Sequence, residues 1–264
     1  MGAPIINAAE FAAFVLVFLR TSTLVVFAPI MGATNVPTQV KAILCLMLTF
    51  AIAPRVAYPA EMMPMTWYGF VFLGLGEFMI SFTLAFMVRL VLEAAHIAGE
   101  YVSFQMGLSM LNAMDPQSGG QMPTLALLIH MMMSLVFLYA NGHMLVIKAL
   151  TQSFQVAPPG LLNIWRPEVF TEIIKAMAGM YVLALKIAAP MVAVLFCIKV
   201  AFGITAKAVP QMNIMFVGIP VYIIVGFLVI GFALPWWPQL LGRALISVDL
   251  SLGRVLGFLA PAAQ

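Results

Sequence analysis

The chain has 264 residues, of which 64% are hydrophobic and 8% are charged, and its mean hydropathy is +1.10. A soluble domain is about 45–50% apolar and about 25% charged, so a chain this apolar cannot cover itself with a polar surface. The composition excludes a cytosolic enzyme, a disordered protein and a secreted disulfide scaffold. The 12 basic and 9 acidic residues are scattered singly, which leaves no basic cluster to bind nucleic acid. We predict an integral membrane protein or an obligate part of a membrane complex.

Six stretches are candidates for membrane helices, because a bilayer core of about 30 Å requires about 20 apolar residues per helix. They are residues 11–31, 42–59, 70–92, 122–147, 177–205 and 212–234. None shows the alternation of a barrel strand, so we predict an all-α, multipass membrane-complex protein with a single domain. Its short connections predict that neighbouring helices form antiparallel hairpins. Lys and Arg residues are divided almost evenly between the two ends of the segments, so the charge bias does not orient the chain in a membrane.

The connection after the third stretch is long and changes character halfway along. Residues 94–104 can continue the preceding helix, whereas Gly107, Asn112 and Asp115-Pro116 are of the kinds that end one. We therefore predict a helix followed by an irregular insert.

Methionines recur every four residues at Met106, Met110 and Met114. In a helix leading into Asp115-Pro116, this spacing would place all three on one face. Such a stripe has two interpretations. It is either ordinary core filler or a soft surface that deforms and seals again, for which flexible thioethers are better suited than Leu or Ile.

Charged residues inside apolar helices are costly, at about 2.5–3.5 kcal/mol each on insertion scales, and are candidates for functional sites. Five residues form this predicted set of buried charges: Glu77, Arg89, Glu93, Lys186 and Lys199. Arg89 and Glu93 are four residues apart, so they can pair on one helix face. Glu77 has no opposite charge nearby in sequence. It is either part of a proton relay or a partner in a hydrogen bond between helices or subunits.

Cysteines and histidines are present, but their spacing is not that of a metal site or of a catalytic site. Cys45 and Cys197 lie in apolar runs and are expected to be buried, unpaired thiols. His96, His130 and His143 show no metal-ligand pattern. His143 follows Asn141-Gly142 at a predicted helix break, which suggests a capping or hydrogen-bonding cluster. We therefore predict no catalytic residue, no cofactor and no metal site.

Short motifs spread along the chain resemble one family in their order and spacing, the FliR flagellar export-gate proteins and their SctT counterparts in virulence type III secretion. These motifs include Ala98-Gly99-Glu100, Gln105-Met106-Gly107-Leu108, Asp115-Pro116-Gln117-Ser118-Gly119, Asn141-Gly142-His143 and Ala208-Val209-Pro210-Gln211-Met212-Asn213-Ile214. The resemblance covers almost the whole chain. One departure is Met144, where many relatives have a second histidine.

The resemblance implies a non-enzymatic, pore-forming subunit of the export gate, which exports flagellar rod, hook and filament proteins across the bacterial inner membrane. It implies assembly with FliP and FliQ subunits in the flagellar basal body, FlhB near the cytoplasmic entrance, unfolded export substrates in transit, contact with membrane lipid, no nucleic acid and no cofactor.

The resemblance also divides the chain and assigns two sites. Residues 1–176 are the FliP-like part, 177–234 a FliQ-like hairpin and 235–264 a C-terminal tail. A pore plug is implied at about 105–121, with Gln105, Met106, Gly107, Met110, Met114, Asp115, Pro116 and Gly119. An entrance turn is implied at Pro210, Gln211, Met212 and Asn213.

Two other functions stay open at the level of sequence. A virulence secretion subunit would have the same fold, although the Asp-Pro-Gln-Ser-Gly and Asn-Gly-His motifs are more similar to flagellar members. A proton-coupled carrier would use Glu77 and broken helices, but carriers usually show two matching halves and this chain shows none.

Overall fold

The computed structural model of the protein describes residues 8–56, 66–108, 124–159, 166–208 and 214–260. Its regular structure in these ranges is entirely helical, which confirms the predicted all-α fold. The α-helices are α1 (Ala8–Phe27), α2 (Thr38–Ile52), α3 (Trp67–Gln105), α4 (Thr124–Tyr139), α5 (Gly142–Val156), α6 (Pro167–Ala208), α7 (Ile214–Ala233) and α8 (Trp237–Leu259). Short 3-10 turns follow α2 at Ala53–Arg55 and α7 at Leu234–Trp236.

Several of these helices are long and apolar enough to cross a membrane, which agrees with the predicted multipass protein. In the described part of the chain there are four such stretches, Thr38–Arg55, Trp67–Gln105, Pro167–Ala208 and Phe216–Leu259. Helices α4 and α5 would make a fifth if they are counted together as one broken span.

The structure adds detail at two sequence-based boundaries. The fourth stretch is divided at the predicted helix break, where Asn141 adopts a left-handed conformation with φ of 57° between α4 and α5. The predicted C-terminal tail contains α8, a helix of 23 residues that buries leucines three and four residues apart. The predicted continuation of the third stretch is confirmed, since α3 extends to Gln105.

The first of two compact units contains α1, α2, α3 up to Leu90, α5, the start of α6 and the end of α8 from Leu245. In this unit α1 packs against α2 and α5. The ring of Phe27 lies 5.1 Å from that of Phe82, which stacks between Phe78 and Phe86 along α3. Aromatic side chains four residues apart on α3 therefore form the packing surface that meets α1.

The second unit contains α3 from Val91, α4, most of α6, α7 and the start of α8. Its core along α3 is formed by small residues, with Ala94, Ala95 and Ala98 all buried. A Cβ atom added to Gly99 would lie 2.7 Å from Cα of Ala126, so the backbones of α3 and α4 approach too closely there to leave room for a side chain. This contact explains in physical terms why the Ala98-Gly99-Glu100 motif requires a glycine.

Candidate functional site

The end of α3, where the predicted plug begins, is defined by backbone geometry in the second unit. Helix α3 ends at Gln105, and the N–H of Gly107 donates to the carbonyl of Phe104 at 3.1 Å. Gly107 has a φ of +79°, in the left-handed region that favours glycine after a helix end. The predicted helix break is therefore confirmed at this glycine.

Gln105 is held by a lysine of α6. Lys199 donates from Nζ to Oε1 of Gln105 over 2.5 Å, and the same nitrogen lies 5.7 Å from the centre of the Tyr222 ring on α7. The Tyr222 ring meets Phe202 edge to face, with ring centres 5.8 Å apart. The lysine charge thus has both a hydrogen-bond acceptor and the face of an aromatic ring, an arrangement that stabilises a cation in a partly dry site.

Met106 is fully buried and packs where α7 has no side chain. A Cβ atom added to Gly226 would lie 2.7 Å from both Sδ and Cε of Met106. Gly226 therefore provides the space that the thioether occupies. Together with Gln105 and Gly107, this contact fixes the first three residues of the predicted plug to α6 and α7.

The remaining residues of the two predicted sites lie outside the described residues. For the plug these are Met110, Met114, Asp115, Pro116 and Gly119, and for the entrance turn they are Pro210, Gln211, Met212 and Asn213. Helix α6 ends just before this turn and α7 begins just after it.

In the first unit, the buried carboxylate of Glu77 forms an ion pair with Arg20 of α1, whose side chain is also fully buried. The arginine Nε donates to Oε2 of the glutamate. Breaking a buried pair by removing one partner costs about 3–5 kcal/mol, because the other charge is left without compensation. Of the two interpretations of Glu77, the structure favours the bond between helices.

Arg20 also contacts groups of α5 and α3 besides Glu77. Its Nη1 donates to the carbonyl of Ala157 at 2.9 Å and to Oγ of Ser153 at 3.3 Å. The guanidinium carbon lies 4.4 Å from the centre of the Phe154 ring, and Ser81 donates to the backbone carbonyl of Arg20 at 2.6 Å. One arginine therefore connects α1, α3 and the C-terminal end of α5.

The other predicted buried charges differ in exposure. Glu93 and Lys199 are partly buried, whereas Arg89 and Lys186 are exposed among the residues that the structure describes. Burial of Arg89 and Lys186 against other subunits of a complex stays a prediction. The pairing of Arg89 with Glu93 stays a prediction.

The thiols and histidines need correction. Cys45 is buried as expected, whereas Cys197 is exposed. Asn141 precedes α5 without a side-chain capping bond. His96, isolated in sequence, lies 6.1 Å from His130 between ring centres, and its Nε2 is 3.3 Å from the carboxylate of Glu100. Among the described residues, no group of three or more His, Cys, Asp or Glu is placed to hold a metal.

Arg20 and α8 are the features that sequence reasoning missed, although the sequence contained signals for both. A basic and an acidic residue in separate apolar helices each favour a partner, which predicts that they meet. In α8, the buried positions Leu241, Leu245, Leu252 and Leu259 follow helical spacing.

Known proteins are similar to this chain over most of its length. Residues 11–247 match the model of the bacterial export proteins, family 1. Flagellar biosynthetic protein FliR of Bacillus subtilis is 32% identical over 83% of this chain and 85% of its own, and that of Escherichia coli is 33% identical over 82% of each. The surface presentation of antigens protein SpaR of Shigella sonnei is 25% identical over 54% of each chain. Because the family model covers far more than half of the sequence, the chain belongs to the bacterial export proteins, family 1.

Proposed function

We propose that this chain is a structural, pore-forming subunit of the flagellar type III protein export gate. The observation that carries the proposal is the identity of 32–33% with two flagellar FliR proteins over more than four fifths of both chains. Its family description names bacterial export, and its long apolar helices suit a multipass membrane component. We place it in the bacterial inner membrane, as part of the flagellar basal body.

The uncovered apolar surface supports assembly with other subunits. In the most apolar window of α6 only 22% of the residues are buried within the chain, against 50% for α3. Large side chains such as Phe196, Ile204 and Phe232 are mostly exposed. We propose FliP and FliQ as the neighbours that cover part of this surface, with lipid covering the rest and FlhB near the cytoplasmic entrance.

The roles that we propose for each part of the chain follow from the resemblance to the FliR family. Residues 1–176 form the FliP-like part and 177–234 the FliQ-like hairpin, with its entrance turn at 210–213. The insert that starts at Gln105 plugs the closed pore, through which unfolded substrates pass. The fixed start of this insert supports the proposal, because a plug needs a rigid attachment at one end to return to the same closed position.

The chain acts without catalysis in this proposal. Its relatives are named for biosynthesis and export, and Glu77 pairs with Arg20 instead of standing as a free carboxylate for a carrier. A virulence secretion subunit is a second candidate, favoured by the match to SpaR. The flagellar assignment is preferred because the matches to FliR of Bacillus subtilis and Escherichia coli are longer and have higher identity than the match to SpaR.

Deleting the gene in its own bacterium tests the function. We expect loss of swimming and of secreted hook protein, with hook protein retained in the cell, and restoration by the full-length gene. A tagged chain should copurify with FliP and FliQ, and the chain made without them should be degraded or aggregate. Normal swimming, or a monodisperse folded monomer in detergent, would contradict the proposal. Loss of effector secretion with normal swimming would support the virulence alternative instead.

A further inference from the structure

A groove in the second unit lies between α6 and the start of α8 and has a volume of about 340 Å³. Its lining combines apolar surface with two cations, Lys186 of α6 and Arg243 of α8, and two tryptophans, Trp236 and Trp237. This size is at the lower end of small-ligand sites, which suits a single polar head group better than a whole lipid.

The charges of Lys186 and Arg243 are not neutralised by an acidic residue in the described part of the chain. Both are exposed, and within the residues that the structure describes neither has a hydrogen bond or an ion pair. Among the described residues that line the groove, none is acidic. Two positive charges in the lining of a mostly apolar groove favour an anionic occupant.

The length of α7 predicts that the groove lies near a membrane–water boundary. Helix α7 contains 20 residues and no charged one, so its length of about 30 Å matches the hydrocarbon core of a bilayer. It is followed by the 3-10 turn at Leu234–Trp236, and the last residue of this turn forms the tryptophan pair with Trp237. Tryptophan is enriched at this boundary, where the phosphates of phospholipids lie close by.

We propose that this groove binds an anionic phospholipid, with the head-group phosphate held by Lys186 and Arg243. The acyl chains then lie along exposed apolar side chains of the same unit, of which Leu185 and Leu228 are examples. The head group occupies the groove, and Trp236 borders the glycerol region. An acidic side chain of another subunit would satisfy the same two charges, but the exposed Trp236 and the predicted depth of the groove favour lipid.

Site-specific photocrosslinking in membranes tests this proposal. A benzophenone amino acid replaces Trp236, which is 64% exposed at the groove, or in a parallel strain Phe232, which is 80% exposed on α7 outside it. Membrane vesicles from these cells are fused with liposomes that carry alkyne-tailed phosphatidylglycerol or alkyne-tailed phosphatidylcholine. After irradiation, the labelled lipid on the denatured, purified chain is measured.

We expect the ratio of phosphatidylglycerol to phosphatidylcholine adducts at position 236 to exceed that at 232 by about thirtyfold, given roughly 1 kcal/mol for each of the two cations near a membrane surface. The double variant Lys186→Gln and Arg243→Gln should reduce this ratio to that at 232. Lys186→Arg with Arg243→Lys should preserve it, as should Lys207→Gln, which removes an exposed charge elsewhere on α6. Equal ratios at the two positions, an unchanged ratio in the double glutamine variant, or adducts to another protein in place of lipid would overturn the proposal.

Discussion

Lys199 and Gln105, which are 94 residues apart in the sequence, are joined by a hydrogen bond of 2.5 Å between the lysine Nζ and the glutamine Oε1. The bond connects the long helix α6 to the last residue of α3. Since the proposed plug begins at that residue, the lysine holds the attached end of the plug in place. Removing this hydrogen bond, called the latch below, should therefore destabilise the closed pore.

The first prediction follows from this latch. Replacing Lys199 with Met retains a long apolar side chain but removes the charge-assisted bond, which is worth about 1.5–3 kcal/mol. The closed arrangement should then be favoured about 10–100-fold less, and ions should leak through the assembled gate. The measurement is the conductance of the purified complex in planar bilayers. Lys207→Met, on the exposed surface of the same helix, serves as the control, and equal conductance in the two variants would show that the latch does not hold the plug.

Deleting residues 110–119 should have a larger effect on the same gate. This change removes most of the proposed plug and leaves its attachment at Gln105 to Gly107. We expect dyes and small ions to cross membranes that contain the complex, and cells that overproduce it should grow poorly. The readout is dye uptake in cells where copurification of FliP demonstrates assembly. If the assembled complex remains tight to ions, the plug lies elsewhere in the chain.

The ion pair between Arg20 and Glu77 gives a third prediction. Either Glu77→Leu or Arg20→Met should destabilise the protein by about 3–5 kcal/mol, because each removes the opposite charge from a buried ion pair. The double variant should be more stable than either single one, since both charges are then absent. Thermal melting of the detergent-solubilised complex measures these differences.

The same double variant also tests the proton-relay interpretation of Glu77. A purely structural pair predicts that export recovers together with stability in the double variant. Recovered stability with export still abolished would mean that the carboxylate takes part in transport.

The close approach of α3 and α4 gives the fourth prediction. Gly99→Ala would place a methyl group 2.7 Å from Cα of Ala126, so the helices must separate. Overpacking of this kind typically costs about 1–3 kcal/mol, offset only partly by the better helix propensity of alanine. Gly179→Ala is the matched control, because nothing lies within 4 Å of a Cβ atom there. The thermal midpoint should fall in the first variant alone, and equal midpoints would contradict the tight contact.

Local sequence patterns predicted the helices well and their partners poorly. The end of α3 was predictable because Gly107 is a strong local signal that needs no tertiary information. The bond from Lys199 to Gln105 was not predictable, because it depends on how α6 packs beside α3. The amphipathic helix α8 was overlooked because its mean apolarity is lower than that of the spans, although its leucine spacing is regular.

Burial of charge was the least predictable property. Glu77 and Lys186 both lie in apolar helices, yet Glu77 is buried against Arg20 whereas Lys186 is exposed at a groove. Sequence alone reports that a charge lies in an apolar helix, and this is the same for both residues. Whether the charge meets a partner in its own chain, a lipid or another subunit depends on the face of the helix on which it lies.

The length of α6 limits how much of this helix membrane lipid can cover. Its 42 residues correspond to about 63 Å along the axis, roughly twice the thickness of a hydrocarbon core of about 30 Å. Fitting that length into the core would require a tilt of about 60°, well beyond the range of about 0–40° that membrane helices adopt. Lipid tails can therefore cover only about half of α6 at any one time, and its remaining apolar surface must be covered by protein.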